Sequence, residues 1–280
     1  MTRIDRRALF TSGAAAALLA ATGTSVTAAP RRGGVLRLAV PRDGDMLESV
    51  ARGAVYDTLT EIGPDGVLKG ELATSWRSSP DARVWHFQLR DEVPFHDGAM
   101  LNAEDVAASL RAHDFPDGCL GIKVIGTTQL QLELVKPNSD LPYLLADPKL
   151  IIARAGQIGA PLNAAIGTGV YQVSQAQDGR HFSATRLAQH FKDGQAGWVD
   201  RVEVITIPDA SVRAEALRDG YVDIAALPEP KGLLHRGEFT YHPSAHDMAL
   251  ATHAGVGLPR RIGARAPMDD GRIVQRWWVA

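Results

Sequence analysis

Trp85-His-Phe-Gln-Leu-Arg90, Val93-Pro-Phe-His-Asp-Gly98 and Asn102-Ala-Glu-Asp-Val106 follow one another closely in this 280-residue chain. From Val84 to Leu89 the residues alternate. Trp85, Phe87 and Leu89 fall on one side and Val84, His86 and Gln88 on the other, which predicts a half-buried strand. Phe95 to Gly98 reads as a turn, since Asp-Gly tolerates backbone conformations that most residues resist. Asn102 is placed to cap a helix whose Ala103, Val106, Ala107 and Leu110 recur at helical spacing, with Glu104 and Asp105 near its positive end. The two carboxylates therefore read as structural.

Working outward, Val35–Val40 is a short strand closed by Pro41, and Glu48 to Ile62 reads as a helix ending before Gly63-Pro64-Asp65-Gly66. Leu130, Leu132 and Leu134 alternate with Gln131 and Glu133 in another one-sided strand. Val202 to Ile207 forms a further strand, Pro208-Asp209 introduces a helix that stops at Gly220, and Tyr221 to Ala225 returns as a strand. The fold class expected from this order is α+β with a mixed sheet.

At the N-terminus, Arg3, Arg6 and Arg7 precede the small-residue apolar run Gly13 to Ala21. That run is shorter than the roughly 20 residues a bilayer span needs, so residues 1–28 read as a signal peptide cleaved near Ala28 and the chain as periplasmic, not an integral membrane protein. The paired Arg6-Arg7 point to twin-arginine translocation.

The chain carries a formal net charge of −2, and removing the arginine-rich leader makes it more acidic. This argues against nucleic-acid binding. One cysteine, Cys119, cannot form an internal disulfide and reads as a small buried apolar residue. No Gly-x-Ser-x-Gly or Gly-x-x-x-x-Gly-Lys-Ser/Thr is present, so the sequence signals neither a hydrolase elbow nor a phosphate loop, and we expect no enzyme activity and no cofactor. His242 and His246 stand four apart beside Asp247, with His235 and His253 nearby. Pro243 interrupts them, and scattered surface histidines compete with a metal site.

The order Leu72-Ala-Thr-Ser-Trp76, Trp85 to Arg90, Val93 to Gly98 and Asn102 to Val106 resembles family 5 extracellular solute-binding proteins of peptide and nickel uptake. Gly167-Thr-Gly-Val-Tyr171, Ile207-Pro-Asp-Ala210 and Ala216 to Ile224 extend the resemblance. It implies a periplasmic-binding-protein-like main domain over residues 29–56 and 166–280, with a smaller domain inserted at 57–165. It also implies a peptide-type solute, and partnership with an ABC permease and its ATPase. Family members continue considerably further into a second ligand-gripping lobe, so the expectation is a shortened relative lacking that C-terminal lobe. A protein-interaction or regulatory module without a solute ligand is the alternative.

By the same resemblance Arg42, Asp43, Tyr56, Tyr171 and Glu229 border the ligand cleft. Tyr56 and Tyr171 also read as core aromatics, and the three charged residues as solvated loop charges. Finally, Asp269-Asp270 is expected to cap a last helix whose Ile273, Val274, Trp277 and Trp278 form an apolar packing face, with Arg272 and Arg276 on its other faces.

Overall fold

A computed structural model describes residues 30–63, 66–113, 118–229, 233, 238–242, 248–257 and 272–279. The proposed signal peptide, His235, His246, Asp247 and Asp269-Asp270 lie outside the described residues, and Arg31–Ala280 forms one compact unit distinct from Met1–Pro30. No helix among the described residues is long and apolar enough to cross a membrane.

In chain order the elements are β1 (Val35–Val40), α1 (Met46–Val55), β2 (Thr60–Ile62), β3 (Leu68–Gly70), β4 (Ala73–Ser78), β5 (Val84–Leu89), α2 (Ala103–Ala112), β6 (Cys119–Gly126) and β7 (Gln129–Leu134). They continue with α3 (Leu141–Leu144), β8 (Tyr171–Gln177), β9 (His181–Arg186), β10 (Arg201–Thr206), α4 (Ala210–Arg218) and β11 (Ile224–Leu227). The last are β12 (Phe239–His242), β13 (Ala249–His253), β14 (Val256–Gly257), α5 (Ile273–Arg276) and β15 (Trp278–Val279).

The larger sheet is mixed, with order β12-β13-β11-β1-β10-β9-β8. Its centre is parallel: β1 pairs with β10, Val40 opposite Thr206, and with β11, Ala39 opposite Ala225. Central parallel strands are covered on both faces, so they read as continuous apolar runs. Here Leu36, Leu38 and Val40 face a core shared with α1, while Ala39 faces a second core with Leu217 of α4.

A smaller antiparallel sheet, β4-β5-β7-β6, buries the face predicted for Val84–Leu89. Trp85, Phe87, Leu89, Leu130, Leu132 and Leu134 pack there with Val106 and Leu110 of α2. Asn102 caps α2 with a full capping box: its side chain accepts from the Glu104 and Asp105 N–H groups, and the Asp105 carboxylate accepts from the Asn102 N–H.

Four expectations are corrected. The helix from Glu48 ends at Val55 instead of Ile62: Tyr56 is extended, the Gly169 N–H donates to the Val55 carbonyl at 2.8 Å, and Thr60–Ile62 becomes a strand paired with Leu68–Gly70. The strand after Gly220 starts at Ile224, because the Tyr221 and Val222 N–H groups both donate back to the Ala216 carbonyl to finish α4. The last helix is a single turn. Trp277 is its C-cap and Trp278 joins β15 opposite Gly257, although Ile273, Val274, Trp277 and Trp278 are all buried as expected. Cys119 is only partly buried, its Sγ 3.3 Å from the Gly121 carbonyl.

Candidate functional site

The parallel centre of the large sheet fixes where loops gather. The loop after β1 leads to α1 on one face, and the loop after the adjacent β10 leads to α4 on the other. Open α/β sheets form a crevice at such a switch, outside the carboxyl ends of the strands. Arg42 and Asp43 follow β1 and Glu229 follows β11, and all three are exposed at this edge. The edge is held from below by Arg213. Its buried guanidinium donates to the Ala226 carbonyl at 2.7 Å, the Ile207 carbonyl at 2.6 Å and the Pro208 carbonyl at 2.9 Å.

A crevice of about 390 Å³ runs along α1, and Arg42, Asp43 and Glu229 are not among its lining residues. Asp45, Glu48, Ser49, Arg52 and Tyr56 line one side, and Ser109, Ala112, His113, Pro148, Lys149, Ile151 and Ala153 the other. Its volume falls within the range of small-molecule pockets, roughly 300–1,000 Å³. The far wall is stitched to α2: Ser109 Oγ donates to the Ala153 carbonyl and accepts from the Ala153 N–H, both at 2.9 Å, and a His113 ring nitrogen lies 2.9 Å from the Ile151 carbonyl. Asp105 adds a bond from the Ala155 N–H at 3.0 Å, so the capping carboxylate read as structural also positions this wall. On the near wall Arg52 pairs with Glu48 at 2.6 Å, one helical turn away.

The structure separates the two tyrosines predicted at the cleft. Tyr56 lines the crevice while remaining buried, and burial pushes its hydroxyl pKa up, against the pull of Arg52. Tyr171 lies in the core, where its hydroxyl donates to the carbonyls of Val199 at 3.2 Å and Val274 at 3.3 Å. It is remote from solvent and ties β8 to the C-terminal segment. His242 sits in β12 with its ring edge-on to Trp277, and no group of three metal-ligating side chains forms among the described residues.

Sequence reasoning missed a buried ionic junction where the two sheets meet. Asp57, Glu61 and Glu71 surround Lys192 Nζ, with Asp57 at 3.1 Å, Glu61 at 3.2 Å and Glu71 in direct contact. Arg272 pairs with Glu71 and Arg276 with Glu61. Arg272, placed by the sequence on another face than the apolar one, therefore points inward and is 3% exposed.

Burial disfavours charge on Asp57 and Glu61, but Lys192 and the neighbouring donors together outweigh it and hold both carboxyls below the usual range. At Glu71 burial dominates and pushes the carboxyl up, although Arg272 and Lys192 oppose it. Thr58 supplies that carboxylate with two further donors, its N–H at 3.0 Å and its hydroxyl at 2.7 Å.

Gly167-Thr168-Gly169 threads between the end of α1 and this junction. A Cβ on Gly167 would stand 2.0 Å from the Val55 carbonyl oxygen, and one on Gly169 2.6 Å from that same atom, so both positions require glycine. Two histidines clamp the strap. His96 Nε2 donates to the Gly169 carbonyl and His190 Nε2 to the Thr168 carbonyl, each at 2.8 Å, while the Nδ1 atoms accept backbone N–H groups of Gly167 and Lys192. This arrangement holds both rings neutral, and burial lowers both pKa values.

The sequence profile of bacterial extracellular solute-binding proteins, family 5 (middle part), matches residues 67–237. A nickel-binding periplasmic protein of Escherichia coli is 27% identical over 244 residues, covering 79% of this chain and 45% of that protein. A probable peptide ABC transporter periplasmic-binding protein of Sinorhizobium fredii is 27% identical over 248 residues, covering 79% of this chain and 46% of its own length. Among solved structures, the ABC transporter-associated periplasmic binding protein DppA of Helicobacter pylori, in complex with the peptide STSA, superimposes with a TM-score of 0.66 at 25% identity, covering 79% of this chain and 52% of that one. The chain thus spans about half the length of the relatives it matches.

Proposed function

This chain belongs to the bacterial extracellular solute-binding proteins of family 5, and on that premise we propose that it holds a short peptide or similar zwitterionic solute in the crevice along α1. Charges of both signs on facing walls carry this reading: Asp45 and Glu48 on α1, with Arg52 beside them and Lys149 across the gap. An α-amine and a carboxylate at opposite ends of a small solute match that layout, and charge-assisted hydrogen bonds would fix its orientation. Arg42, Asp43 and Glu229, at the carboxyl edge of the sheet, would extend the same surface.

The protein would bind and release the solute without chemistry. An ABC permease and its ATPase would supply the transport step, in keeping with the peptide transporter component from Sinorhizobium. The arginine-led apolar N-terminus supports a periplasmic location, as in the Escherichia coli relative.

Calorimetric titration of the purified protein with di- to tetrapeptides should give saturable binding. Arg52→Ala should weaken it about tenfold, equivalent to about 1.4 kcal/mol. Binding of nickel complexes but no peptide would replace the solute class, and binding of neither would sink the proposal.

A further inference from the structure

The ionic junction is assembled from distant parts of the chain, and its positive charges are unequally anchored. Lys192 belongs to the segment between β9 and β10, whereas Arg272 and Arg276 both belong to the turn around α5. Without that turn, three carboxyl groups would face a single ammonium among the described residues. Such a hole would carry net negative charge, and a buried charge that loses its partner is costly.

Each arginine reaches the junction through one terminal nitrogen of its guanidinium. Arg276 Nη2 contacts the Glu61 carboxylate and also donates to the Ile62 carbonyl at 2.9 Å. Arg272 Nη1 reaches the Glu71 oxygen that Lys192 also contacts. A guanidinium is planar and more weakly hydrated than an ammonium, which suits it to a buried carboxylate.

The turn is also docked by apolar packing and backbone bonds. Ile273, Val274 and Trp277 are buried against the main core, the Gly197 N–H donates to the Gln275 carbonyl at 2.6 Å, and Tyr171 holds the Val274 carbonyl. Its fit is incomplete. The Gln275 side chain is 1% exposed and its Oε1 lies 3.5 Å from Lys192 Nζ, yet its Nε2 has no hydrogen-bond partner. A buried amide donor without an acceptor costs docking energy.

We propose that Asp57, Glu61 and Glu71 form a guanidinium-recognition site that Arg272 and Arg276 fill in cis. The site selects the guanidinium group itself, so a guanidinium supplied from solution replaces a missing arginine.

The test uses the full chain with Arg272→Ala or Arg276→Ala, and methylguanidinium at millimolar concentration, far below the molar range in which guanidinium denatures. Each variant should melt lower than the parent, and methylguanidinium should raise its Tm saturably toward the parent value. Methylammonium at equal concentration should do so far less, and the parent should not shift. Equal rescue by methylammonium, no rescue, or an equal shift in the parent overturns the proposal. If Arg272→Ala does not fold, Arg276→Ala decides. If neither folds, refolding yield with and without methylguanidinium decides, restored yield supporting the site and unchanged yield refuting it.

Discussion

The small sheet and the ionic junction lie side by side and are both buried, yet they are held by opposite means. In the sheet, Phe87, Leu130 and Leu132 are at most 2% exposed and surrounded by apolar side chains. Dispersion and the removal of apolar surface from water hold that region, and both are tolerant of which apolar residue supplies them. At the junction, Asp57, Glu71, Lys192 and Arg272 are buried too, but each charge is tolerable only while its partners stay in place. The comparison teaches that burial alone does not tell how a site answers substitution. The sheet responds to lost volume and the junction to lost pairing.

Replacing one residue by methionine in each region is the sharpest way to break this comparison. Lys192→Met keeps much of the side chain's length but strands Asp57 and takes one of two cationic partners from Glu61 and Glu71, so urea denaturation should show a loss of about 3–5 kcal/mol. Leu132→Met conserves volume and should cost less than about 1.5 kcal/mol. Equal losses would mean that the junction is energetically an ordinary core.

Proton linkage separates the regions next, because the two clamping histidines belong to the junction side. Both are kept neutral when folded, with pKa values lowered by burial, while the unfolded chain protonates them near pH 6.5. The unfolded state therefore takes up more protons as pH falls through about 6.5, and stability declines by at most about 1.4 kcal/mol per pH unit for each histidine. His96→Gln, whose amide can still donate to the Gly169 carbonyl, should flatten the dependence of Tm on pH between about 7 and 5. An unchanged slope would remove His96 from this account.

The smallest effect belongs to the sheet's covering helix. Asn102→Ala removes the side-chain half of the capping box on α2, leaving the backbone N–H of residue 102 to donate to Asp105, and should cost about 1 kcal/mol by calorimetry. Its influence on solute binding should be indirect, through the Asp105 bond to Ala155 that steadies the crevice wall. A loss as large as that of Lys192→Met would show that the wall, not only the cap, depends on this residue.

Much of the sheet was legible in the sequence because its signals are local. Alternation at Val84–Leu89 and Leu130–Leu134, the Asp97-Gly98 turn and the cap at Asn102 each depend on residues a few positions apart, and the structure contains all of them. The crevice was half legible. Tyr56 was singled out, but Glu48, Arg52 and Lys149 were not, since nothing in their spacing announces that α1 will face the segment after α3. A signal existed in Glu48 and Arg52, whose i,i+4 spacing marks a paired helical face.

By itself the sequence determined the α+β class, the motif order of the family and the apolar identity of Ile273, Val274, Trp277 and Trp278. Only the tertiary structure decided that Arg272 and Arg276 turn inward while those neighbours pack. Glu71 and Arg272 are 201 positions apart, and Asp57 and Lys192 are 135. Periodicity follows from the geometry of one strand or helix, which repeats over a few residues. A charge, by contrast, is stable in the interior only beside partners that the whole fold delivers, so its place is settled by chain topology rather than by its own neighbourhood.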